Sequence, residues 1–409
     1  MALPRASFLR AFLFASLFTV DRPLAMAQFD QVHLGVPGSS LEAIDFPTPL
    51  IGYATGKDGA LYKTTDGGTD WIPLNTGSGA YLFGAGFLNE DTGFVSGGGA
   101  AVLRTMDGGD TWAALTLPFT ECVYQVRPIT ASRVYAAGWG GYFFRSTDGG
   151  DNWTSISIDP NWQGWVFGMR FRDALNGVVA QTDGRIYRTI DGGSTWTPST
   201  TATSNNLRGI SMPDTATGLA VGFFGTAQKS TDGGATWNTI NTGYPGDSYY
   251  GVHFTDADNG VICGGFYAGN WQGVIMRTAN GGSSWSRIHS GGPVLNGITI
   301  NDGNIFAVGT DEVIIMDALN TNISTMDHGA SWTVRPSVAH QQVVVEPPLP
   351  ISSHPWTLEV LDARGALVHA TRTSDRNTTI DVSDWCNGIY SVRLLMNDAV
   401  LARRFVVAH

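Results

Sequence analysis

Apolar runs of four to seven residues, rich in Val, Ile, Phe and Tyr, recur along most of the chain. Polar turns carrying Gly, Asp and Asn separate them. One stretch shows the pattern: NLRGISM, PDTATG, LAVGF, a loop, TAQKST, the turn DGGA, and TWNTI. Short apolar runs bounded by such turns predict antiparallel strands and hairpins. Apolar positions at helical spacing are absent. The pattern predicts an all-β protein.

The runs are organised by a repeat. TTDGGTDW ends at Trp71, TMDGGDTW at Trp112, STDGGDNW at Trp153 and TIDGGSTW at Trp196. STDGGATW ends at Trp237, TANGGSSW at Trp285 and TMDHGASW at Trp332. A period of roughly 41–48 residues holding four short strands is that of a propeller blade. Within the turn, Asp66, Asp107, Asp148, Asp191, Asp232 and Asp327 can accept bonds from turn N–H groups. Asn280 keeps the acceptor in the sixth copy. The glycines supply left-handed backbone that other residues resist. Each Trp is expected to pack on its blade. Residues 29–34 read as an outer strand that closes the ring on the last blade.

Composition narrows the function. Lys and Arg number 24 against 35 Asp and Glu, a net charge of −11. Such an acidic chain lacks the basic footprint of a nucleic-acid binder. The 13 tryptophans and 43% hydrophobic content exclude a disordered chain. Cys122, Cys263 and Cys386 are too few and too far apart for a disulfide framework. One carboxylate per turn is too few oxygens for calcium, so no metal or cofactor is expected.

The two ends carry different signals. Arg5 and Arg10, the apolar run 11–20, and Ala25-Met26-Ala27 form a signal peptide over residues 1–27. No later stretch has membrane-spanning length. The propeller is expected over 28–336, a proline-rich linker over 337–355, and a small β-sandwich over 356–409. Alternating strands with turns at Gly365, Gly388 and Asn397-Asp398 support that last module.

The repeated turn resembles the Asp-box, or BNR repeat, of sialidases, sortilins, xyloglucanases and photosystem II assembly/stability factors. Seven even copies resemble the last group most, which implies a seven-bladed β-propeller with structural Asp-boxes. The C-terminal region is similar to the type A sorting domain of the type IX secretion system. V-x-D-x-x-G around Asp362, I-D-V-S at 380–383, G-I-Y-x-V-R at 388–393 and Arg403-Arg404-Phe405 carry that resemblance, although the usual Asn-Pro start is missing. It implies a type IX-like export machinery as partner and a secreted or outer-surface location.

Candidate chemistry is sparse. GxSxG, HExxH, P-loop and CxxC patterns are absent, and the histidines have no ligand spacing. The distribution of aromatic residues is more informative. Trp139, Phe223, Phe224, Phe266, Tyr267 and Trp271 are expected in loops between second and third strands. Trp162, Trp165, Tyr249 and Tyr250 are expected in inter-blade connections or at first-strand starts. All would reach the face opposite the Asp-boxes. Aligning the inner strands adds a ring of Glu42, Phe83, Tyr124, Phe167, Arg208, Tyr250 and Asn296 beside the channel, with Arg127 and Arg170 deeper. The sequence predicts a monomeric, non-catalytic propeller binding a glycan or protein through this aromatic face. A glycan hydrolase or lyase and a photosystem-type assembly factor are the alternatives.

Overall fold

The computed structural model describes residues 30–34, 39–318, 333–335, 338–339, 341–346, 356–361, 367–373, 378–396 and 399–407. The expected signal peptide over residues 1–27, the seventh Asp-box with Asp327 and Trp332, and much of the proline-rich segment lie outside the described residues.

The repeats form seven four-stranded antiparallel sheets, the blades of a propeller. Each of the first six is contiguous in sequence. Blade 1, for example, runs Leu41–Asp45, Gly52–Gly56, Leu61–Thr64 and Ile72–Pro73 from inside to outside. Blade 7 takes three strands from Leu295–Ala318 and its fourth from Asp30–His33. Asp30 pairs with Met316 and His33 with Val313, so the N-terminal strand closes the ring as the sequence predicts.

The molecule has no single core. Apolar clusters lie between neighbouring blades. Phe94 and Val102 of blade 2 meet Val123, Val126 and Phe144 of blade 3. Leu41, Ile44 and Trp71 of blade 1 meet Phe306, Val308 and Ile314 of blade 7. The second strand of each blade is covered on both faces, which is why Gly177–Gln181 and Gly218–Gly222 are buried along their whole length. At the closing seam, a Cβ on Gly297 would lie 2.8 Å from the Glu42 carbonyl oxygen. Only glycine lets the first and last inner strands approach that closely.

The Asp-boxes use their polar atoms internally. Asp232 Oδ1 accepts from the Thr236 N–H at 2.9 Å and from Ser230 Oγ at 2.8 Å. Its Oδ2 accepts from Thr236 Oγ1 at 2.6 Å. Asn280 accepts from the Ser284 N–H at 2.9 Å and returns its own amide proton to Ser284 Oγ. The next glycines take the left-handed backbone the turn needs, with φ of 73° at Gly233 and 87° at Gly234. Trp71, Trp112 and Trp237 donate their indole N–H to the second glycine carbonyl, each at 3.1 Å. The indole N–H groups of Trp153, Trp196 and Trp285 are buried without an acceptor.

A second regularity joins the blades. A cation precedes the first Thr or Ser of the box and reaches the next blade's box. Lys63 donates to the Gly108 carbonyl at 2.7 Å, Arg104 to Gly149 at 2.8 Å and Lys229 to Gly281 at 2.7 Å. Arg145 does the same toward Gly192 at 3.4 Å. Two of the chain's three lysines are used this way.

The C-terminal module has a three-stranded and a five-stranded sheet around one core of Val343, Val345, Leu358, Val360, Ile380 and Val392. Residues 333–335, 338–339 and 342–346 pair into it, although composition places them in the propeller end and the linker. The reason is local. Gln342–Glu346 is a β-branched run whose Val343 and Val345 are fully buried, and the prolines begin only after it. Among the described residues Cys122, Cys263 and Cys386 are free thiols.

Candidate functional site

Every inner strand carries a β-bulge at the same place. The bulged residues are Glu42, Phe83, Tyr124, Phe167, Arg208, Tyr250 and Asn296. A bulge leaves one residue unpaired and re-aims its side chain. Sevenfold repetition therefore collects seven side chains in one ring at the channel mouth. The alignment locates these positions; the bulge that distinguishes them becomes visible only in the strand pairing.

The ring forms a continuous arc. Tyr81 packs on Phe83 at 4.5 Å, Phe83 on Tyr124 at 5.2 Å, and Tyr124 on Phe167 at 4.8 Å. The Arg208 guanidinium lies 4.0 Å over the Phe167 ring, with Tyr250 at 5.5 Å and Phe223 at 5.9 Å. Trp165 extends the arc outward, 6.4 Å from Tyr124 and stacked on Trp139 at 4.4 Å. Glu42 and Asn296 close the ring. Glu42 Oε1 accepts from the Tyr81 and Ser40 hydroxyls and from Asn296 Nδ2 at 3.2 Å. Asn296 also donates to the Leu41 carbonyl at 2.9 Å.

The electrostatics are asymmetric. The chain's own donors already converge on Glu42. Arg208 has no hydrogen-bond acceptor or ion-pair partner among the described residues, so its donors are available to a ligand. Burial pulls its guanidinium below its ordinary value, and the Glu42 charge across the mouth opposes that shift. Burial pushes the Tyr124 phenol up to about 12. Burial and then Glu42 push Tyr81 up as well. Both phenols are neutral donors over the usable pH range. The mouth thus offers flat apolar walls with the unpaired Arg208 guanidinium between them.

The expected aromatic residues separate into groups. Trp139, Trp165, Phe223, Tyr250 and Arg208 converge on the mouth. Phe224 sits at its rim, 70% exposed, with left-handed backbone at φ 57° and its ring edge-on to Phe223. Tyr267 and Trp271 form a separate exposed pair, 6.0 Å apart. They belong to strands rather than a loop, because Gly260–Tyr267 and Trp271–Thr278 extend their pairing to the hairpin tip. Trp162 lies under Arg185 at 4.4 Å, outside the arc.

Two assignments are corrected. Tyr249 is fully buried in the core between blades 5 and 6, and its hydroxyl donates to Thr242 Oγ1 at 3.0 Å. It immediately precedes the bulge and so points away from Tyr250. Phe266 packs against the same core, 4.6 Å from the Arg287 guanidinium. Tyr81 joins the site without being expected from the sequence. Its place just before the inner strand Leu82–Phe87 is the signal that could have found it.

A cavity of about 250 Å³ lies on the opposite face, lined by Thr255, Asn259, Arg277 and Gly303 among others, without an aromatic wall. No group of three or more His, Cys, Asp or Glu among the described residues could hold a metal ion.

Comparison with known proteins bears on both ends of the chain. Residues 336–408 match the family model of the secretion system C-terminal sorting domain. The protein is secreted or displayed at the outer cell surface. Residues 71–212 match the model of the photosynthesis system II assembly factor YCF48. Among solved structures, YCF48 bound to D1 peptide is similar at 16% identity and TM-score 0.61, covering 73% of this chain and 97% of that one. YCF48 from Cyanidioschyzon merolae is similar at 20% identity and TM-score 0.60, covering 71% and 99%. A Niastella koreensis GH74 enzyme is similar at 15% identity and TM-score 0.58, covering 91% and 73%. At these identities the likeness establishes the propeller fold alone. A search of curated proteins found no match. No helix among the described residues is long and apolar enough to cross a membrane.

Proposed function

We propose that this propeller is a non-catalytic binding module that works outside the cell and holds a peptide or protein segment over its channel mouth. One observation carries the reading. Seven bulges gather an aromatic arc around an arginine whose donors have no partner among the described residues. Peptides supply what such a mouth lacks: carbonyl or carboxylate acceptors next to apolar side chains. Arg stacked on aromatic faces with its fork free suits carboxylate and carbonyl acceptors. A propeller of similar fold is described as bound to a peptide, which supports the ligand class. The assembly role is not carried over, because a secretion-sorted chain acts elsewhere. The net charge of −11 favours a neutral to basic partner surface.

A glycan is the second reading, favoured by the stacked Trp139 and Trp165 pair. Stacked aromatic faces suit a flat sugar ring. Peptide and glycan arrays probed with the wild-type chain, Arg208→Met, and Trp139→Ala/Trp165→Ala separate the two. Peptide capture weakened about tenfold or more by Arg208→Met supports the proposal. Glycan capture lost only in the Trp variant supports the second reading. Equal binding by all three proteins overturns the mouth as the site.

A further inference from the structure

Three residues beyond the ring, the same inner strands carry a second, polar layer inside the channel. Asp45, Arg127, Arg170, His253 and Thr299 come from blades 1, 3, 4, 6 and 7. Blade 2 contributes Gly86, which puts no side chain between Asp45 and Arg127. We propose that this layer is a binding site for a small inorganic oxyanion such as phosphate or sulfate, held between Arg127 and Arg170.

Two guanidiniums face one carboxylate. That carboxylate is poorly placed to satisfy both. Asp45 Oδ1 lies 3.7 Å from Arg127 Nη1, a long ion pair, while Oδ2 accepts from the Phe87 N–H at 2.8 Å. Arg127 Nε is buried with no hydrogen-bond partner. Arg170 has no hydrogen bond or ion pair among the described residues. His253 is tied through Nδ1 to Thr299 Oγ1 at 3.2 Å and supplies no counter-charge.

The electrostatics agree with the geometry. The neighbouring Arg127 charge is the main reason that the Arg170 guanidinium falls to about 9, with burial adding to it. Burial, then Arg170 and Arg127, hold His253 down at about 4, so it is neutral at pH 7. Adjacent cations in a narrow channel repel each other. An oxyanion between them would relieve that repulsion and occupy donors the chain leaves unpaired. Guanidinium forks match the paired oxygens of phosphate and sulfate. The layer is distinct from the ring above it, so this site stands or falls independently of peptide binding.

The test is equilibrium dialysis of the mature chain, residues 28–409, with radiolabelled phosphate and sulfate in a chloride buffer. Saturable binding of one anion per chain is expected. Arg170→Gln is expected to weaken it by about tenfold or more, and Arg170→Lys by less, since the charge stays but the fork is lost. Arg145→Gln, which alters an inter-blade contact outside the channel, is expected to bind normally. Absence of saturable binding in the wild type overturns the site, as does undiminished binding by Arg170→Gln. Should Arg170→Gln fail to fold, crystals of the wild type grown with selenate decide the question. An anomalous selenium peak between Arg127 and Arg170 supports the site, and its absence overturns it.

Discussion

At the scale of single residues, the Asp-box separates into a packing part and a polar part. Trp237 is almost wholly buried in the apolar cluster that joins Val178 and Ile186 of blade 4 to Leu207 and Ile210 of its own blade 5. Its replacement by Ala leaves a large cavity and is expected to cost about 3–5 kcal/mol in a denaturant titration. Asp232 is solvent-exposed, so screening limits the loss in Asp232→Ala to about 1 kcal/mol despite its several turn bonds. Loss of a binding activity with unchanged stability in both variants would contradict this division. The same turns are expected to make the protein acid-sensitive. Hydrogen bonds from Thr111, Asn152 and Thr236 hold Asp107, Asp148 and Asp232 down at about 2. Their folded-state values lie below the unfolded ones. Their stabilisation is therefore full above about pH 4 and is lost as pH falls toward 2. Thermal melts across that window are expected to show a falling midpoint; a flat profile would remove the Asp-boxes from the acid response.

At the scale of elements, the strand-three cation is a polar contact across the seam between blades, beside the apolar clusters. It joins one Asp-box hairpin to the next through a backbone carbonyl. Lys229→Met keeps the aliphatic stem but removes the donor to Gly281. A loss of about 1 kcal/mol is expected by denaturant titration, with hydrogen exchange rising first in the turn at 278–285. Unchanged exchange in that turn would mean that the contact is incidental. The bulge is the other element-scale device. It converts a pleated strand, whose side chains alternate between neighbouring blades, into one that also presents a residue to the channel mouth. Sequence spacing gives the equivalence of the ring positions, but alternation alone would assign Tyr249 and Tyr250 to faces that only the bulge settles.

At the scale of the whole molecule, closure depends on a strand from the far end of the chain. Removing residues 28–36 unpairs Val313–Ala318 along its outer edge. A lower melting temperature is expected, together with aggregation through the exposed strand edge; an unaltered melt would show that the pairing contributes nothing. The C-terminal module has its own core and is expected to be dispensable for the propeller. A chain lacking residues 337–409 is expected to fold but to remain in the periplasm. Its normal arrival at the cell surface would refute the sorting role of the tail.

The all-β class, the blade repeat, the turn chemistry of the Asp-boxes and the sorting signals at the C terminus are all legible in the linear chain. Each depends on residues close together: a Thr, an Asp, two glycines and a Trp within eight positions, or a strand and its hairpin. The functional surface depends on contacts across the ring. Glu42 meets Asn296 only because the seventh blade returns to the first, and Tyr81 reaches Glu42 across the seam between blades 1 and 2. Arg208 finds its aromatic bed on a neighbouring blade, and Arg127 meets Asp45 across the gap left by Gly86. Local propensity fixes a blade. Closure of the ring decides which side chains face one another, because that depends on how many blades there are and how closely their inner strands approach.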